Sequence, residues 1–241
     1  MKQLIIIGSG ISGLASAYYL RNKFKIKIFE KNDYLGGHTH THYLKDEKIF
    51  FDSGFIVFND RNYPNFINLL NTIKVGYQES NMSFSVTNNK IKYEWAGKNL
   101  KTIFDYKNLF TIRYLKVLKD IFKFSKLCEK DASLYNISLK KFLKKYNFSK
   151  EFIDLYFLPM CASIWSSNFK NIMNYSTSFI LNFFKNHGLN NIISKRPIWF
   201  TIKNGSKSYI EKIIKEVKPE IYLKEKVIEI NQKKKIYKNN K

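Results

Sequence analysis

The stretch Lys2-Gln-Leu-Ile-Ile-Ile-Gly8-Ser9-Gly10-Ile11-Ser12-Gly13 decides the fold of this chain. The unbroken apolar run before Gly8 is typical of a strand that is buried on both faces of a parallel sheet. It ends in G-x-G-x-x-G and is followed by residues at helical spacing, which is the strand–turn–helix context that the motif requires. Gly8 permits a tight turn, Gly10 lets a pyrophosphate approach the backbone, and Gly13 lets helix and strand pack closely. We therefore predict that residues 8–13 bind the phosphates of a dinucleotide.

Glu30 ends the second predicted strand, Phe24-Lys-Ile-Lys-Ile-Phe29, and lies 17 residues after Gly13. An acidic residue at about this distance binds the adenosine ribose in dinucleotide-binding folds. An ordinary surface carboxylate is the alternative, but the position at a strand end after the glycine motif favours the ribose role. A carboxylate here disfavours the 2′-phosphate of NADP, so FAD and NAD remain as candidates.

A glycine pair follows in the stretch Lys31-Asn-Asp-Tyr-Leu-Gly36-Gly37-His38-Thr39. A simple dehydrogenase does not need this pair, whereas it suits a backbone that passes close beside a second stretch of a long cofactor. His38, His40 and His42 recur at every second residue, so an extended chain would place them on one face. No cysteine or acidic cluster nearby completes a metal site. We expect no metal, with His38 beside the cofactor and the other two as polar strand residues.

Two hairpins are predicted in the next part of the chain. Tyr43 to Asp52 should turn at residues 45–48, and Phe84 to Trp95 should turn at an Asn-Asn pair. The second hairpin is expected to belong to a sheet separate from the nucleotide-binding sheet. Between the hairpins, Asp52-Ser53-Gly54-Phe55 carries another glycine that suits close approach of backbone.

A helical region is predicted from Lys107 to about Lys145. Its first helix has an apolar stripe, formed by Leu109, Ile112, Leu115, Leu118 and Phe122, and a basic face, formed by Arg113, Lys116, Lys119, Lys123 and Lys126. We favour a helix of a cap domain with solvated lysines over the alternative, a helix lying on an anionic membrane. Further on, Pro159 interrupts a bulky apolar segment, which either lines a pocket or fills a plain core.

Composition limits the functional classes. Of 241 residues 44% are apolar, ample for a core, and no apolar run approaches the roughly 18 residues of a membrane span. Lys2 leads into a strand rather than into a signal peptide. Cys128 and Cys161 suit two buried thiols in a reducing cytoplasm. We attribute the net charge of +23 more to AT-rich codons than to a functional basic face, and we expect no nucleic-acid partner.

Further motifs extend over nearly the whole chain. They are Asp52–Asn59, Tyr63-Pro64-Asn65, Met82–Val86, Pro159-Met160, Ser163–Ser166, Phe183-Phe184, Asn186-His187-Gly188, Arg196-Pro197, Trp199, Gly205-Ser206 and Tyr209. With the glycine motifs and Glu30, this set resembles the flavin-containing amine oxidase superfamily, which is related to phytoene desaturases and monoamine oxidases. It resembles most a bacterial branch of NAD/FAD-binding proteins often found with cyclopropane fatty-acid synthases.

The resemblance implies an α/β fold: a Rossmann-like FAD-binding domain of the glutathione-reductase-related type with an inserted α+β substrate or cap domain. The implied boundaries are 1–80 for the first part of the FAD-binding domain, 81–200 for the inserted domain and 201–241 for the return. Members of the superfamily continue well past the position of Val227. We therefore expect a chain that is incomplete at its C-terminus, a truncated or split product, or one whose missing half comes from a second chain.

The resemblance also implies FAD as the cofactor. The implied cofactor-binding residues are Gly8, Ser9, Gly10, Ile11, Ser12, Gly13, Glu30, Lys31, Gly36, Gly37, His38, Thr39, Gly54, Phe55 and Val227. Gly54 and Phe55 would lie near the isoalloxazine ring, and Val227 would contact adenine through its backbone. Many amine oxidases have arginine where this chain has His38, so amine-oxidase chemistry is not carried over and no catalytic residue is assigned.

We predict an FAD-dependent oxidoreductase, or the N-terminal portion of one, that removes a hydride from an apolar substrate such as a lipid or fatty-acyl chain. It would act in the cytoplasm or at the periphery of a membrane. Alone, the chain is expected to bind FAD weakly or not at all and to be catalytically incompetent. The alternative is a non-catalytic nucleotide-binding fragment or scaffold whose basic half faces a membrane or a partner. An NAD-dependent dehydrogenase is disfavoured by the glycine pair and the hairpins.

Overall fold

The computed structural model describes residues 1–82, 84–91, 93–96, 111–190, 197–231 and 236–239, the last four by their backbone alone. The chain divides into two compact units. Unit 1 consists of Met1–Ser80 and Ile198–Lys241, and unit 2 is Asn81–Pro197. The predicted helix start at Lys107, the stripe residue Leu109 and the motif residue Arg196 lie outside the described residues.

Unit 1 opens with two parallel strands joined by a helix. They are β1 (Lys2–Ile7), α1 (Ile11–Leu20) and β2 (Phe24–Phe29). The register pairs Ile7 with Phe29, and a third strand, β10 (Glu220–Tyr222), adds parallel to the other edge of β2. The predicted strand–turn–helix–strand unit is confirmed, and it places the end of β1 beside the end of β2.

The first strand is less buried than its apolar run predicted. Ile6 packs in the core with Leu14 and Ala17 of α1, whereas the side chain of Ile7 is 48% exposed. The strand order β1-β2-β10 makes β1 an edge strand among the described strands. Within the described sheet β1 is therefore paired along one edge only, and its face with Ile6 is the more deeply buried one.

The rest of unit 1 is built from short strands and two helices. The elements are β3 (Thr39–Leu44), β4 (Ile49–Gly54), β5 (Phe58–Asn59), α2 (Pro64–Thr72), β6 (Tyr77–Glu79), β9 (Trp199–Ile202), α9 (Lys207–Val217), β11 (Val227–Asn231) and β12 (Ile236–Asn239). β3 and β4 form an antiparallel hairpin, which confirms the first predicted hairpin and its turn at 45–48. β5, β9 and β6 form a second antiparallel sheet, in that order.

Two separate strands follow α9. β10 ends at Tyr222 and β11 begins at Val227, because Lys224 adopts a left-handed conformation with φ of 60°. The turn is anchored to the loop after β2, since the amide of Glu225 donates to the carbonyl of Glu30 at 2.9 Å. A further strand, β12, then pairs antiparallel with β11.

Unit 2 contains a hairpin and a group of helices. The elements are β7 (Ser85–Asn88), β8 (Tyr93–Ala96), α3 (Ile112–Cys128), a 3₁₀ turn (Ala132–Leu134), α4 (Leu139–Lys145), α5 (Lys150–Phe152), a π-helical turn (Ile153–Phe157), α6 (Leu158–Trp165), α7 (Phe169–Ile172) and α8 (Thr177–Asn186). The second predicted hairpin is confirmed. Ser138 caps α4, accepting a hydrogen bond from the amide of Lys141.

The apolar stripe predicted for α3 is wrong. Ile112, Leu115 and Phe122 are exposed, and only Leu118 of the described stripe residues is buried. The core takes another stripe, which consists of Tyr114, Val117, Leu118, Ile121, Phe124, Leu127 and Cys128. This second stripe carries more residues and two aromatic rings, so burying it removes more apolar surface from water.

The segment around Pro159 belongs to the core of unit 2. Pro159 lies in the first turn of α6, directly after the π-helical turn, so the helical path continues through a local change of pitch. Leu158, Met160 and Cys161 are all buried in the hydrophobic cluster. Of the two predicted alternatives, the structure therefore shows the plain core. Cys128 and Cys161 are free and buried, as predicted.

No helix in the described part of the chain is both long and apolar enough to cross a bilayer.

One buried carboxylate ties the helices of unit 2 together. Asp120 of α3 accepts from the ammonium group of Lys123 at 2.6 Å and from the amide of Ser149 at 2.7 Å. Burial raises the pKa of Asp120, but these hydrogen bonds outweigh it and hold the pKa below its ordinary value. Ser149 in turn caps α5. The charged form of Asp120 therefore joins α3 to the start of α5.

We expect Asp120→Ala to lower the free energy of unfolding by about 2 kcal/mol, because it removes two hydrogen bonds to a buried charge. Urea denaturation at neutral pH measures the loss. The matched control is Asp154→Ala, which removes an exposed carboxylate and should change stability by less than about 0.5 kcal/mol. Equal losses in the two variants would contradict the assignment.

Candidate functional site

The loop between β1 and α1 is fixed by the end of β2. The amide of Gly8 donates to the carbonyl of Phe29 at 2.8 Å. Ser9 is fully buried, and both its amide and its hydroxyl donate to Oε2 of Glu30, at 2.8 and 2.6 Å. The other carboxylate oxygen of Glu30 accepts from the amide of Asn32 at 2.9 Å. Glu30 is itself only 4% exposed, so its carboxylate acts here as an internal anchor of the glycine loop.

The ionisation of Glu30 reflects this anchoring. Burial raises the pKa of the carboxyl group, but the hydrogen bonds from Ser9 and Asn32 more than compensate and leave the pKa below its ordinary value. The group is therefore charged at neutral pH. Its negative charge is stabilised by backbone amides and a hydroxyl, and no cationic side chain among the described residues pairs with it.

The glycine pair lies against the glycine loop. The amide of Gly36 donates to the carbonyl of Ser9 at 3.1 Å, and Gly36 pairs with Gly10 as a short parallel bridge. Gly36 has φ of 119°, and an added Cβ would lie 2.5 Å from the carbonyl oxygen of Thr39. An added Cβ on Gly37 would lie 3.0 Å from Cα of Gly10. The two motifs that the sequence singled out separately therefore form one packed backbone surface.

Gly10 and Gly13 differ in what surrounds them. An added Cβ on Gly13 would lie 2.2 Å from the carbonyl oxygen of Gly8, so this glycine is required by the packing of α1 on the loop. An added Cβ on Gly10 would meet no atom within 4 Å. The space beside Gly10 is thus open to a ligand that approaches the backbone.

A cleft of about 520 Å³ in unit 1 lies in front of this surface. Its lining includes nine of the predicted site residues, namely Gly8, Gly10, Ile11, Ser12, Gly13, Gly36, His38, Thr39 and Phe55. Four further residues that the site prediction did not include complete it: Ile7, Tyr63, Phe66 and Tyr209. None of these thirteen described residues carries a carboxylate.

The remaining predicted residues lie outside the lining. Ser9 and Glu30 are buried behind the loop, and Gly54 lies against the backbone of His38, where an added Cβ would be 2.2 Å from the carbonyl oxygen. Lys31 is exposed after β2, and Val227 begins the β11–β12 hairpin. A ribose contact for Glu30 and an adenine contact for Val227 stay predictions.

An aromatic group forms the other end of the cleft. The ring of Phe66 packs edge-on against Phe55 and against Tyr209, with centroids 5.4 Å apart in both pairs. The hydroxyl of Tyr209 shares a hydrogen bond with Thr39. Burial, the largest influence, raises the pKa of Tyr209, so the phenol stays neutral. In the sequence, Tyr209 was singled out only as part of the family motif with Gly205 and Ser206, and not as a residue of the site.

Asp52 places Tyr209 by capping the helix that carries it. Its carboxylate accepts from the amide and the hydroxyl of Ser206, both at 2.9 Å, at the start of α9. Thr41 hydrogen-bonds the same carboxylate and accepts from the amide of Lys207 at 2.9 Å. The first turn of α9 is thereby fixed to the β3–β4 hairpin, and its Tyr209 faces the cleft.

The start of α1 favours an anion in the cleft. No side chain within the described residues caps this helix, and its first turn carries no acidic residue. Its first amide groups and the positive end of the helix dipole are therefore available to a phosphate. Together with the open space beside Gly10, this geometry is suited to a pyrophosphate.

The other two predicted histidines lie in an aromatic row on the β3–β4 hairpin. His40 stacks on Tyr34 and on His42, with ring centroids 4.1 Å apart in both pairs. The Nε2 atom of His42 lies 2.8 Å from the hydroxyl of Ser53. Both imidazoles thus make contacts expected of strand residues.

Comparison with known proteins agrees with this geometry. Residues 6–73 match the NAD(P)-binding Rossmann-like domain family. The chain is 58% identical over 41 residues to a 1-hydroxycarotenoid 3,4-desaturase from Flavobacterium sp. (strain P99-3), covering 17% of this chain and 8% of that protein. It is 46% identical over 69 residues to a protoporphyrinogen oxidase from Dictyostelium discoideum, covering 22% of this chain and 13% of that protein.

The structural similarity to known proteins covers much more of the chain than these short sequence matches do. The structure resembles cyclohexylamine oxidase from Brevibacterium oxydans IH-35A with a TM-score of 0.67 and 17% identity, over 94% of this chain and 51% of that chain. At this identity the likeness shows the fold alone, which this chain shares with that amine oxidase over the matched part. The chain spans about half the length of this neighbour, and the segments matched to the two relatives above are 8% and 13% of their length.

The contrast between Gly10 and Gly13 can be tested by measuring the free energy of unfolding of alanine variants. Alanine in a helix normally stabilises it relative to glycine by about 1 kcal/mol. We expect Gly13→Ala to be destabilising instead, because its Cβ would overlap the carbonyl oxygen of Gly8. Gly10→Ala should leave the free energy of unfolding within about 0.5 kcal/mol of wild type in urea denaturation. A stable Gly13→Ala variant would show that the helix packing described here is wrong.

The anchoring role of Glu30 can be tested by measuring the free energy of unfolding as a function of pH. Since its folded-state pKa lies below the ordinary value, its contribution is present at neutral pH and is lost as the pH falls through the folded pKa. Glu30→Gln should cost about 1–2 kcal/mol at neutral pH, and its stability should fall less than that of wild type on acidification to roughly pH 3. Glu79→Gln, which alters an exposed carboxylate on β6, is the control and should follow wild type. A Glu30→Gln profile parallel to that of wild type would exclude the anchoring role.

Proposed function

We propose that unit 1 binds FAD in its cleft and that the chain forms the nucleotide-binding part of an FAD-dependent oxidoreductase. The observation that carries the proposal is the open space beside Gly10, at the uncapped start of α1. This is where a pyrophosphate would meet backbone amides without displacing any protein atom. The names of the relatives, a desaturase and oxidases, favour an oxidoreductase over a non-catalytic scaffold.

Two features support FAD over nicotinamide dinucleotides. The second backbone surface at Gly36 and Gly37 gives a long cofactor a further stretch of close contact. The aromatic end of the cleft, with Phe55, Phe66 and Tyr209, is suited to a large flat ring system. Glu30, charged at the end of β2, disfavours NADP through repulsion of its 2′-phosphate.

The chain itself would bind the cofactor, orient it and exclude water from the site. A bound flavin supplies the hydride chemistry. The amides of residues 11–13 would stabilise the phosphate charge, and the apolar lining would exclude water from the reacting region. No residue of the described cleft has the carboxylate expected of an acid–base pair, so we assign no catalytic residue.

The substrate class and the remaining parts of the enzyme are further proposals. We propose an apolar substrate, such as a lipid or fatty-acyl chain, because one relative is named for a carotenoid and the cleft is predominantly apolar. Unit 2 would form the cap that contributes to substrate binding.

FAD binding is tested by titrating the purified chain with FAD and following flavin fluorescence, with NAD and NADP as competitors. We expect weak but saturable binding of FAD, rather than the complete absence of binding that the sequence also allowed. Excess NAD should displace the FAD weakly, and NADP least. Gly10→Ala should weaken FAD binding about ten-fold or more, or ~1.4 kcal/mol, because its Cβ would occupy the space of the pyrophosphate.

The control is Gly76→Ala. Its Cβ would make an ordinary contact, 3.4 Å from Cδ of Lys203, and it lies outside the lining of the cleft. This variant should bind FAD like wild type and should match Gly10→Ala in stability. An absence of saturable FAD binding, or equal binding by wild type and Gly10→Ala, would contradict the proposal.

A further inference from the structure

The outward face of α3 in unit 2 combines basic and bulky apolar side chains. Ile112, Leu115, Lys119, Phe122 and Lys126 are all exposed and recur at spacings of three and four residues, so they form one row along the helix. We call this the α3 outer row. It differs from the buried stripe on the opposite face, which already fills the core of the unit.

The apolar members of the row are strongly exposed. Ile112 is 76% exposed, Leu115 is 54% and Phe122 is 44%. Single exposed apolar side chains are ordinary on protein surfaces, but three in line along one helix, with Lys119 between Leu115 and Phe122, give that helix one amphipathic outer face, and exposed apolar groups that are aligned in this way favour an interaction site.

The charges of the row have one sign. Lys119 and Lys126 form no ion pair within the described residues, and Arg113 and Lys116 flank the row, with Lys116 held 2.9 Å from Glu151. The one acidic residue of α3 is Asp120, which is buried on the core side. The row therefore presents apolar side chains within a positive potential. A matching partner should have a negatively charged surface layer with an apolar layer underneath it.

We propose that the α3 outer row docks on the surface of an anionic lipid bilayer, with the helix axis parallel to the membrane plane. The apolar side chains would enter the boundary between headgroups and acyl chains, and the lysines would extend to lipid phosphates. The 17 residues of α3 give a contact about 25 Å long. A second copy of the chain fits less well, because pairing two such rows would bring Lys119 and Lys126 of each copy close to like charges.

The test is flotation of the full chain with vesicles of phosphatidylcholine alone or of phosphatidylcholine with phosphatidylglycerol, at low and high salt. We expect binding to the anionic vesicles only, and weaker binding at high salt. Each lysine near an anionic surface contributes about a five-fold gain in partitioning, so the double variant Lys119→Glu with Lys126→Glu should lose about 25-fold or more. Leu115→Ser with Phe122→Ser should also reduce binding, which a purely electrostatic attraction would not explain.

Two controls identify the surface. Lys140→Glu with Lys144→Glu makes the same change in net charge on exposed positions of α4 and should reduce partitioning much less than the α3 variant. Ile49→Ser with Phe50→Ser alters an exposed apolar part of the β3–β4 hairpin in unit 1 and should leave binding unchanged. Circular dichroism confirms that each variant is folded.

Several results would overturn the proposal. They are absence of binding to anionic vesicles at low salt, equal losses in the α3 and α4 variants, and a loss confined to the hairpin variant. A wild-type chain that self-associates in gel filtration, with α3 variants that are monomeric, would assign the row to contacts between copies instead. Because none of these measurements involves a nucleotide, the outcome is independent of FAD binding.

Discussion

The hydrogen bonds between Ser9 and the carboxylate of Glu30 are the constraint on which the nucleotide cleft depends. Through its side chain Glu30 holds the glycine loop, and its backbone amide and carbonyl bond Tyr222 and Glu225, at the end of β10 and in the turn after it. One buried residue thus fixes the loop relative to two parallel strands. With the loop anchored from behind, the amides at the start of α1 face the open side, where no side chain of the described part of the chain caps them.

A second polar contact closes unit 1 across a long stretch of sequence. Asp52 and Ser206 are separated by 154 positions, and all of unit 2 lies between them in the chain. The chain leaves unit 1 and re-enters it at adjacent points, since the amide of Ser80 donates to the carbonyl of Trp199 at 2.8 Å. An insertion whose ends are joined in this way disturbs the parent unit little, because the loop-closure entropy grows only slowly with length.

The parts of the site that could be predicted are those encoded locally. The strand–turn–helix unit, the position of Glu30 and the first hairpin depend on neighbours within about 30 residues, and each has turn or glycine chemistry visible in the sequence. Tyr63, Phe66 and Tyr209 were missed as lining residues because their place in the cleft depends on tertiary packing. Asp52 is a second example. Its motif was evident in the sequence, but its role as the cap of α9 could not be predicted, because α9 lies far from Asp52 in the sequence.

The error in α3 has a different cause, which is composition. Codons rich in A and T supply lysine together with isoleucine and phenylalanine, so one helix readily carries two apolar stripes with lysines between them. Periodicity then identifies a helix without identifying its buried face. The core selects the stripe with the larger aromatic surface, here Tyr114 and Phe124, and leaves Ile112, Leu115 and Phe122 among lysines on the outside. A compositional bias therefore explains the number of these residues but not their alignment in a single row, and it is the alignment that gives the outer face of α3 its chemistry.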